Sequence, residues 1–148
     1  MGVSGRASVD IRQRIRAPAT GVASYISDFR NARNWMVGIE QIEDLGGDAY
    51  RLHLESPVGL LKPEARVVER SEGRIRWVYT STVEGEGAVE VSPEGEGCCT
   101  VHYTGSFAPG GAILRRAARL AGMERFARRN GERSLMRLKA LMEAGRYR

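Results

Sequence analysis

Residues 64–81, EARVVERSEGRIRWVYTS, contain the pattern that decides the fold of this 148-residue chain. Apolar and charged residues alternate on both sides of the turn signal Ser71-Glu72-Gly73. This pattern predicts two half-buried strands, near Glu64–Arg70 and Arg74–Ser81. Because three residues leave no room for a crossover helix, the two strands are expected to pair antiparallel.

The same strand pattern recurs on both sides of this hairpin. Further strands are predicted near Ser8–Arg16, Val37–Leu45, Ala49–Ser56, Ala88–Ser92 and Cys99–Phe107. The glycines at 85, 87, 95 and 97 fall between predicted strands and are typical of hairpin turns. Two short helical segments, Ala19–Phe29 and Asn31–Met36, follow the first strand. Together these elements predict a curved, seven-stranded antiparallel sheet.

One long helix is predicted near Ala112–Ala144, after Pro109-Gly110-Gly111. Its apolar side carries Ile113, Ala117, Leu120, Ala127, Leu135, Leu138 and Met142, and its other side carries Arg115, Arg119, Arg129, Arg133 and Arg137. Burying this apolar stripe against the apolar sheet face gives a single α+β domain over residues 1–148, with the sheet wrapped around the helix. Contact along only part of the helix predicts an internal cavity.

Composition and charge narrow the class of protein. A chain that is 42% hydrophobic and 28% charged is typical of a globular domain. It has no apolar run of the roughly 20 residues that span a bilayer, and Met1–Ser8 is not apolar like a signal peptide, so we expect a cytoplasmic protein. Adjacent Cys98 and Cys99 favour neither a disulfide nor a metal site. We expect no cofactor.

The net charge of +5 is uneven along the chain. Residues 112–148 carry 11 basic and 3 acidic side chains, whereas residues 1–111 carry 12 basic and 15 acidic ones. The basic helix side is interpreted first as a solvated face and second as a docking surface. A docking surface would suit an acidic acyl carrier protein or an anionic membrane. Nucleic acid is disfavoured, because the basic residues lack interleaved exposed aromatics other than Phe126.

Aromatic and apolar residues in the inward phase of the strands are the candidate ligand contacts. Aromatic walls suit flat apolar ligands, and tyrosine hydroxyls add directional hydrogen bonds. Simple core packing is an equally good interpretation for any one of these residues. The candidates are Trp35, expected near the cavity mouth, Tyr50, Leu52, Leu54, Trp77, Tyr79, Val101, Tyr103, Leu120 and Gly131.

Glu124 is the candidate for acid or base chemistry, with Tyr79 or Tyr103 as its hydrogen-bond partner. A carboxylate that faces an apolar cavity has its pKa raised by desolvation, as a general acid requires. Gly131, on the same helix side, leaves room for a ligand. The alternative is a shift of helix phase at Gly122 that leaves Glu124 in solvent.

Four short strings carry a family resemblance. They are Ser27-Asp28-Phe29 with Trp35, the strand from Gly97 to Tyr103, Phe107-Ala108-Pro109-Gly110-Gly111, and Leu135–Glu143. With the order of elements, they resemble the helix-grip fold of the START-like (SRPBCC) superfamily and its polyketide cyclase/dehydrase and lipid-transport family.

The resemblance implies a cyclase, aromatase, hydratase or lipid carrier. Aromatase/cyclase members use a strand arginine, but Ala65 and Val67 hold the inward phase here, so Arg66 is expected to face solvent. We therefore predict a protein that binds a hydrophobic small molecule, polyketide-like or lipid-like, with a polyketide cyclase, aromatase or dehydratase as the alternative. The apolar hairpin Ser56–Pro63 could cap the cavity, insert into a membrane or form a homodimer contact.

Overall fold

The computed structural model describes residues 7–56, 59–109 and 120–145. Its strands form one antiparallel sheet in the order β1-β8-β7-β6-β5-β3-β2, with β4 paired to β3 off that path. The strands are β1 Ala7–Ile15, β2 Ile39–Gly46, β3 Ala49–Ser56, β4 Gly59–Leu61, β5 Glu64–Ser71, β6 Arg74–Tyr79, β7 Val83–Pro93 and β8 Cys99–Pro109. The helices are α1 Ala19–Ser27, a 3-10 turn Phe29–Asn31, α2 Ala32–Trp35 and α3 Leu120–Glu143.

The predicted architecture is confirmed: an open antiparallel sheet packs around a long C-terminal helix. Two details differ. Strand β4 lies in the hairpin that was expected to be a loop, and it adds an eighth strand. Strand β7 begins at Val83, so Gly85 and Gly87 lie inside a strand and not in a turn. Residues 112–119 of the expected helix lie outside the described part of the chain.

The core forms where the concave sheet face meets α1 and α3. Ile15 at the end of β1 and Val22 in α1 have no exposed surface, and Leu138 in α3 has none either. Full burial of such side chains stabilises the fold by about 1.5–3 kcal/mol each relative to leaving them in water. Helix α3 packs mainly along the edge strand β1, and this placement leaves space between the helix and the middle of the sheet.

The convex sheet face is charged and faces solvent. Arg74 and Arg76 both donate to Glu69, at 3.3 and 3.4 Å, and Arg66 is exposed as expected. The two histidines pair with carboxylates away from the core, His53 with Glu43 and His102 with Asp10, both at 2.6 Å. Partly exposed ion pairs of this kind add little stability.

Candidate functional site

A cavity of about 110 Å³ lies between the concave sheet face, α3 and the segment that joins α2 to β2. Among the described residues, its wall carries no charged side chain. The wall consists of Phe29, Trp35, Met36, Val37, Ile39, Leu52, Leu54, Ser56, Leu61, Trp77, Tyr79, Val83, Tyr103, Phe107, Phe126, Ala127, Asn130, Gly131 and Ser134. An apolar wall with a few placed polar groups is the usual form of a small-molecule site.

Trp77 organises the aromatic part of the wall. Its ring stacks on Tyr103, with centroids 6.4 Å apart and planes at 16°, and it meets Phe29 at 5.1 Å. The indole lies directly over Gly87, where an added Cβ would be 2.4 Å from Trp77 Cζ2. Only glycine leaves room for the indole at this position, so Gly87 is the residue that allows Trp77 to lie against β7.

Two tyrosine hydroxyls provide the polar groups of the sheet wall. Trp77 Nε1 donates to Tyr79 Oη at 3.3 Å, and both tyrosine rings line the cavity. Desolvation in this wall raises the pKa of Tyr79 and of Tyr103 above the ordinary tyrosine value. Both groups are therefore neutral phenols at physiological pH, able to donate a hydrogen bond and unsuited to act as bases.

The helix wall is fixed by a polar clamp on Val37, in the segment between α2 and β2. Val37 N donates to Ser134 Oγ at 2.8 Å, and Asn130 Nδ2 donates to Val37 O at 3.4 Å. Ser134 is 4% exposed, and its hydroxyl also donates to Asn130 O. Both polar groups of Val37 are thus satisfied by α3, which ties the helix to one end of the cavity.

Of the two positions left open for Glu124, the structure has the solvent-exposed one, and Glu124 does not line the cavity. The side chain is exposed, and its carboxylate accepts from Ser8 N at 3.3 Å. Glu124 precedes Gly131 by seven residues, about two helical turns, so the two share a side of α3. That side of the helix faces β1. Glu124 lies beside the first residues of this strand, where its side chain is exposed to solvent.

Gly131 lines the cavity, but its role differs from the one expected. An added Cβ would lie 2.7 Å from Ile11 Cδ1 and 3.3 Å from Tyr103 Cε2. The glycine therefore permits close contact between α3 and the sheet and does not open space for a ligand. Leu120 begins the described helix, but its side chain lies outside the described part.

The remaining sequence-predicted contacts divide between the cavity and the core. Leu52, Leu54, Trp77, Tyr79 and Tyr103 line the cavity as expected. Trp35 also lines it, but only 2% of the residue is exposed, so it lies in the wall and not at a mouth. Tyr50 and Val101 are buried in the core outside the lining, and Tyr50 packs on Phe29 at 5.0 Å.

Sequence reasoning missed the polar helix residues and Phe126, which had been placed on the exposed side. Phe126, Asn130 and Ser134 follow one another at four-residue spacing, which puts them in a row along α3. All three line the cavity. The spacing was visible in the sequence, but asparagine and serine on a helix ordinarily indicate solvent.

No group of three or more His, Cys, Asp or Glu residues that could hold a metal ion occurs in the described ranges. Cys98 and Cys99 are both free. In the same part of the chain, no helix is long and apolar enough to cross a membrane.

Comparison with known proteins gives the family. Residues 6–143 match the family described as "Polyketide cyclase / dehydrase and lipid transport", and the chain belongs to it. No curated protein matches the sequence.

Solved structures share the fold at low sequence identity. A START superfamily protein from Mycobacterium smegmatis is 17% identical, with a TM-score of 0.72 over 93% of this chain and 97% of that one. A conserved protein from Geobacillus kaustophilus is 16% identical, with a TM-score of 0.75 over 93% and 95%. Zhui aromatase/cyclase from Streptomyces sp. R1128 is 16% identical, with a TM-score of 0.63 over 96% and 92%. These similarities show a START-like, helix-grip fold.

Proposed function

We propose that this member of the polyketide cyclase/dehydrase and lipid transport family binds a hydrophobic small molecule, polyketide-like or lipid-like, in the cavity between the sheet and α3. The observation that carries the proposal is the cavity wall, which is aromatic and aliphatic and, among the described residues, uncharged. Transfer of an apolar ligand from water to such a wall is favourable in proportion to the area buried.

The cavity volume sets the size of ligand that fits without rearrangement. Pockets for drug-sized ligands have volumes of roughly 300–1,000 Å³, and this cavity has about 110 Å³. A single-ring compound therefore fits the conformation seen here, whereas a larger ligand requires wall side chains to move. Met36, Leu61 and Phe126 are the candidates for such movement, because all three are only half-buried.

The test fills the cavity from the helix side. Ala127 lines the cavity, so Ala127→Leu places three more carbons in it. Ala140→Leu makes the same change at an exposed position of the same helix and is the matched control. Toluene is the probe, and thermal denaturation is the readout. Ligand at 100 times its Kd stabilises a binding-competent protein by about 2.7 kcal/mol.

We expect toluene to raise the Tm of the wild type and of Ala140→Leu, but not of Ala127→Leu. Equal shifts in all three proteins would show that toluene binds elsewhere. A native mass spectrum of freshly purified protein would add the identity of any co-purified ligand.

Catalysis is the second candidate, as a polyketide cyclase, aromatase or dehydratase acting on such a ligand. The two neutral phenols favour it, because they could donate to an oxygen that gains negative charge during the reaction. The exposed position of Glu124 removes the carboxylate from this scheme. If the phenols are catalytic, Tyr103→Phe should reduce kcat on an aryl polyketone substrate by a larger factor than it raises KM.

The basic side of α3 is proposed as a docking surface for an acyl carrier protein or an anionic membrane. Arg129, Arg133 and Arg137 are exposed, while Arg115 and Arg119 lie outside the described residues. Exposed charges are screened within about 8–10 Å at physiological salt. Binding to anionic vesicles or to an acyl carrier protein should therefore weaken steeply as salt rises, and it should be lost in the Arg129→Gln/Arg133→Gln/Arg137→Gln variant. Binding that is unchanged by salt and by these substitutions would contradict the proposal.

A homodimer and a cytoplasmic location are also proposed. Leu60, at the apolar hairpin, is 52% exposed and is the residue we would place in a dimer contact. Light scattering of the wild type and of Leu60→Ser would test this, and a monomeric wild type would contradict it.

A further inference from the structure

Two glycines face each other on the inner surface of the sheet. Gly87 in β7 pairs with Gly105 in β8, and Trp77 in β6 pairs with Gly87. Because neither glycine has a side chain, neighbouring aromatic side chains extend over the bare backbone. A Cβ at Gly87 would lie 2.9 Å from Trp77 Nε1, and a Cβ at Gly105 would lie 3.5 Å from Tyr103 Oη.

This arrangement brings two hydroxyls together above the glycine pair. Tyr79 Oη is 3.3 Å from Trp77 Nε1, which lies over Gly87. Tyr103 Oη lies over Gly105, and facing positions on paired strands are roughly 4.5–5.5 Å apart. The sheet register therefore directs both phenol groups to the same part of the cavity wall.

Each of the two hydroxyls has a proton that no other described group accepts. Tyr79 Oη accepts from Trp77 Nε1, and in the described residues its own proton has no acceptor. The Tyr103 hydroxyl makes no hydrogen bond within the described part of the chain. No described side-chain polar atom is both fully buried and unpaired, so the Tyr103 hydroxyl must reach open space, which here is the cavity.

The wall around these donors discriminates against charge. The described lining residues include no lysine, arginine or histidine that could pair with a carboxylate. Burying an ion without a partner has a far larger desolvation penalty than burying a neutral polar group. A neutral oxygen acceptor, by contrast, needs only hydrogen-bond donors, and two are available.

We infer that the cavity selects neutral ring compounds with a hydrogen-bond-accepting oxygen, such as an aryl ketone, an aldehyde or a quinone, and that Tyr79 and Tyr103 donate to that oxygen as a pair. This inference rests on the proposed function and names the ligand class within it. Fatty-acid carboxylates and other organic anions are excluded from this position.

The experiment compares acetophenone with isopropylbenzene, which has the same number of non-hydrogen atoms but no oxygen, and with benzoate. Each Kd is measured from the emission of Trp35 and Trp77, the two tryptophans of the chain, which both line the cavity. The proteins are the wild type, Tyr79→Phe, Tyr103→Phe and the control Tyr25→Phe. The control removes a hydroxyl that bonds Asn34, outside the cavity lining.

A net hydrogen bond is worth about 0.5–1.5 kcal/mol. Tyr79→Phe and Tyr103→Phe should therefore each weaken acetophenone binding by roughly 2- to 13-fold, while isopropylbenzene binding stays the same or tightens. Benzoate at pH 8 should bind more weakly than acetophenone. The carbonyl stretch of bound acetophenone should lie at lower frequency in the wild type than in either cavity variant.

Equal losses for acetophenone and isopropylbenzene, or an equal loss in Tyr25→Phe, would overturn the inference and leave the cavity proposal standing. Tight benzoate binding would also overturn the inference. If the wild type bound neither acetophenone nor isopropylbenzene, both the inference and the proposed function would fail.

Discussion

Replacing Gly87 by alanine tests whether this glycine is required for the Trp77 indole to lie against β7. The new methyl group would lie 2.4 and 2.5 Å from Trp77 Cζ2 and Cε2. The indole has little freedom to withdraw, because Trp77 is 1% exposed and lies between Phe29 and Tyr103. Overpacking of this kind destabilises by about 1–3 kcal/mol. The displaced indole would also lose its bond to Tyr79, worth roughly 0.5–1.5 kcal/mol.

Alanine also restricts the unfolded chain, which offsets the loss by about 0.4–1 kcal/mol. Gly97→Ala isolates this term, since nothing lies within 4 Å of a Cβ at Gly97. We expect Gly87→Ala to be about 1.5–4.5 kcal/mol less stable than Gly97→Ala in urea denaturation followed by tryptophan emission. A Tm lower by about 3–18 °C is the matching thermal result. Equal stability of the two variants would refute the close contact between Gly87 and Trp77.

Two further predictions concern the clamp and the phenols. Ser134→Ala removes the acceptor of Val37 N and should destabilise the protein by about 1–3 kcal/mol. The control Ser92→Ala, at an exposed position, should change the free energy of unfolding by less than about 0.5 kcal/mol. Equal effects of the two substitutions would contradict the clamp. Burial raises the folded-state pKa of Tyr103 above the unfolded-state pKa of 10.0. The stabilisation that the neutral, buried phenol provides is therefore complete below pH 10.0 and is lost as the pH rises above that value. Tyr103→Phe should therefore flatten the alkaline fall in stability, as measured by urea denaturation between pH 8 and 11, and an unchanged slope would count against a buried neutral phenol.

The local pattern of the sequence predicted most of the elements. Strand β3 has the expected limits Ala49–Ser56, and the β5–β6 hairpin turns where Ser71-Glu72-Gly73 indicated. These features are local, because alternation fixes which residues share a sheet face and turn residues fix where the chain reverses. Strand β7 was predicted too short, because glycines at 85 and 87 ordinarily indicate a turn. In the structure the Trp77 ring occupies the space beside Gly87, and the backbone of Ser106 lies against Gly85.

The candidate site was predicted in part. The inward phase of β6 and β8 correctly brought Trp77, Tyr79 and Tyr103 to one cavity. Tyr50 has the same inward phase but lies in the core, because it packs beneath Phe29 and not beside open space. Strand alternation distinguishes the two faces of a sheet, but it does not distinguish a packed region of one face from an open one.

By itself, the sequence determined the fold and most of the sides of its elements, including the side of α3 that carries both Glu124 and Gly131. Only the tertiary structure decided what each side meets. Gly131 contacts the middle of β1, whereas Glu124, two turns earlier, lies beside Ser8 in solvent. Asn130 and Ser134 meet the backbone of Val37, so they are buried although they are polar. Periodicity fixes the direction in which a side chain points from the helix axis. Which group that side chain contacts depends on strand length, strand register and the position of the helix along the sheet.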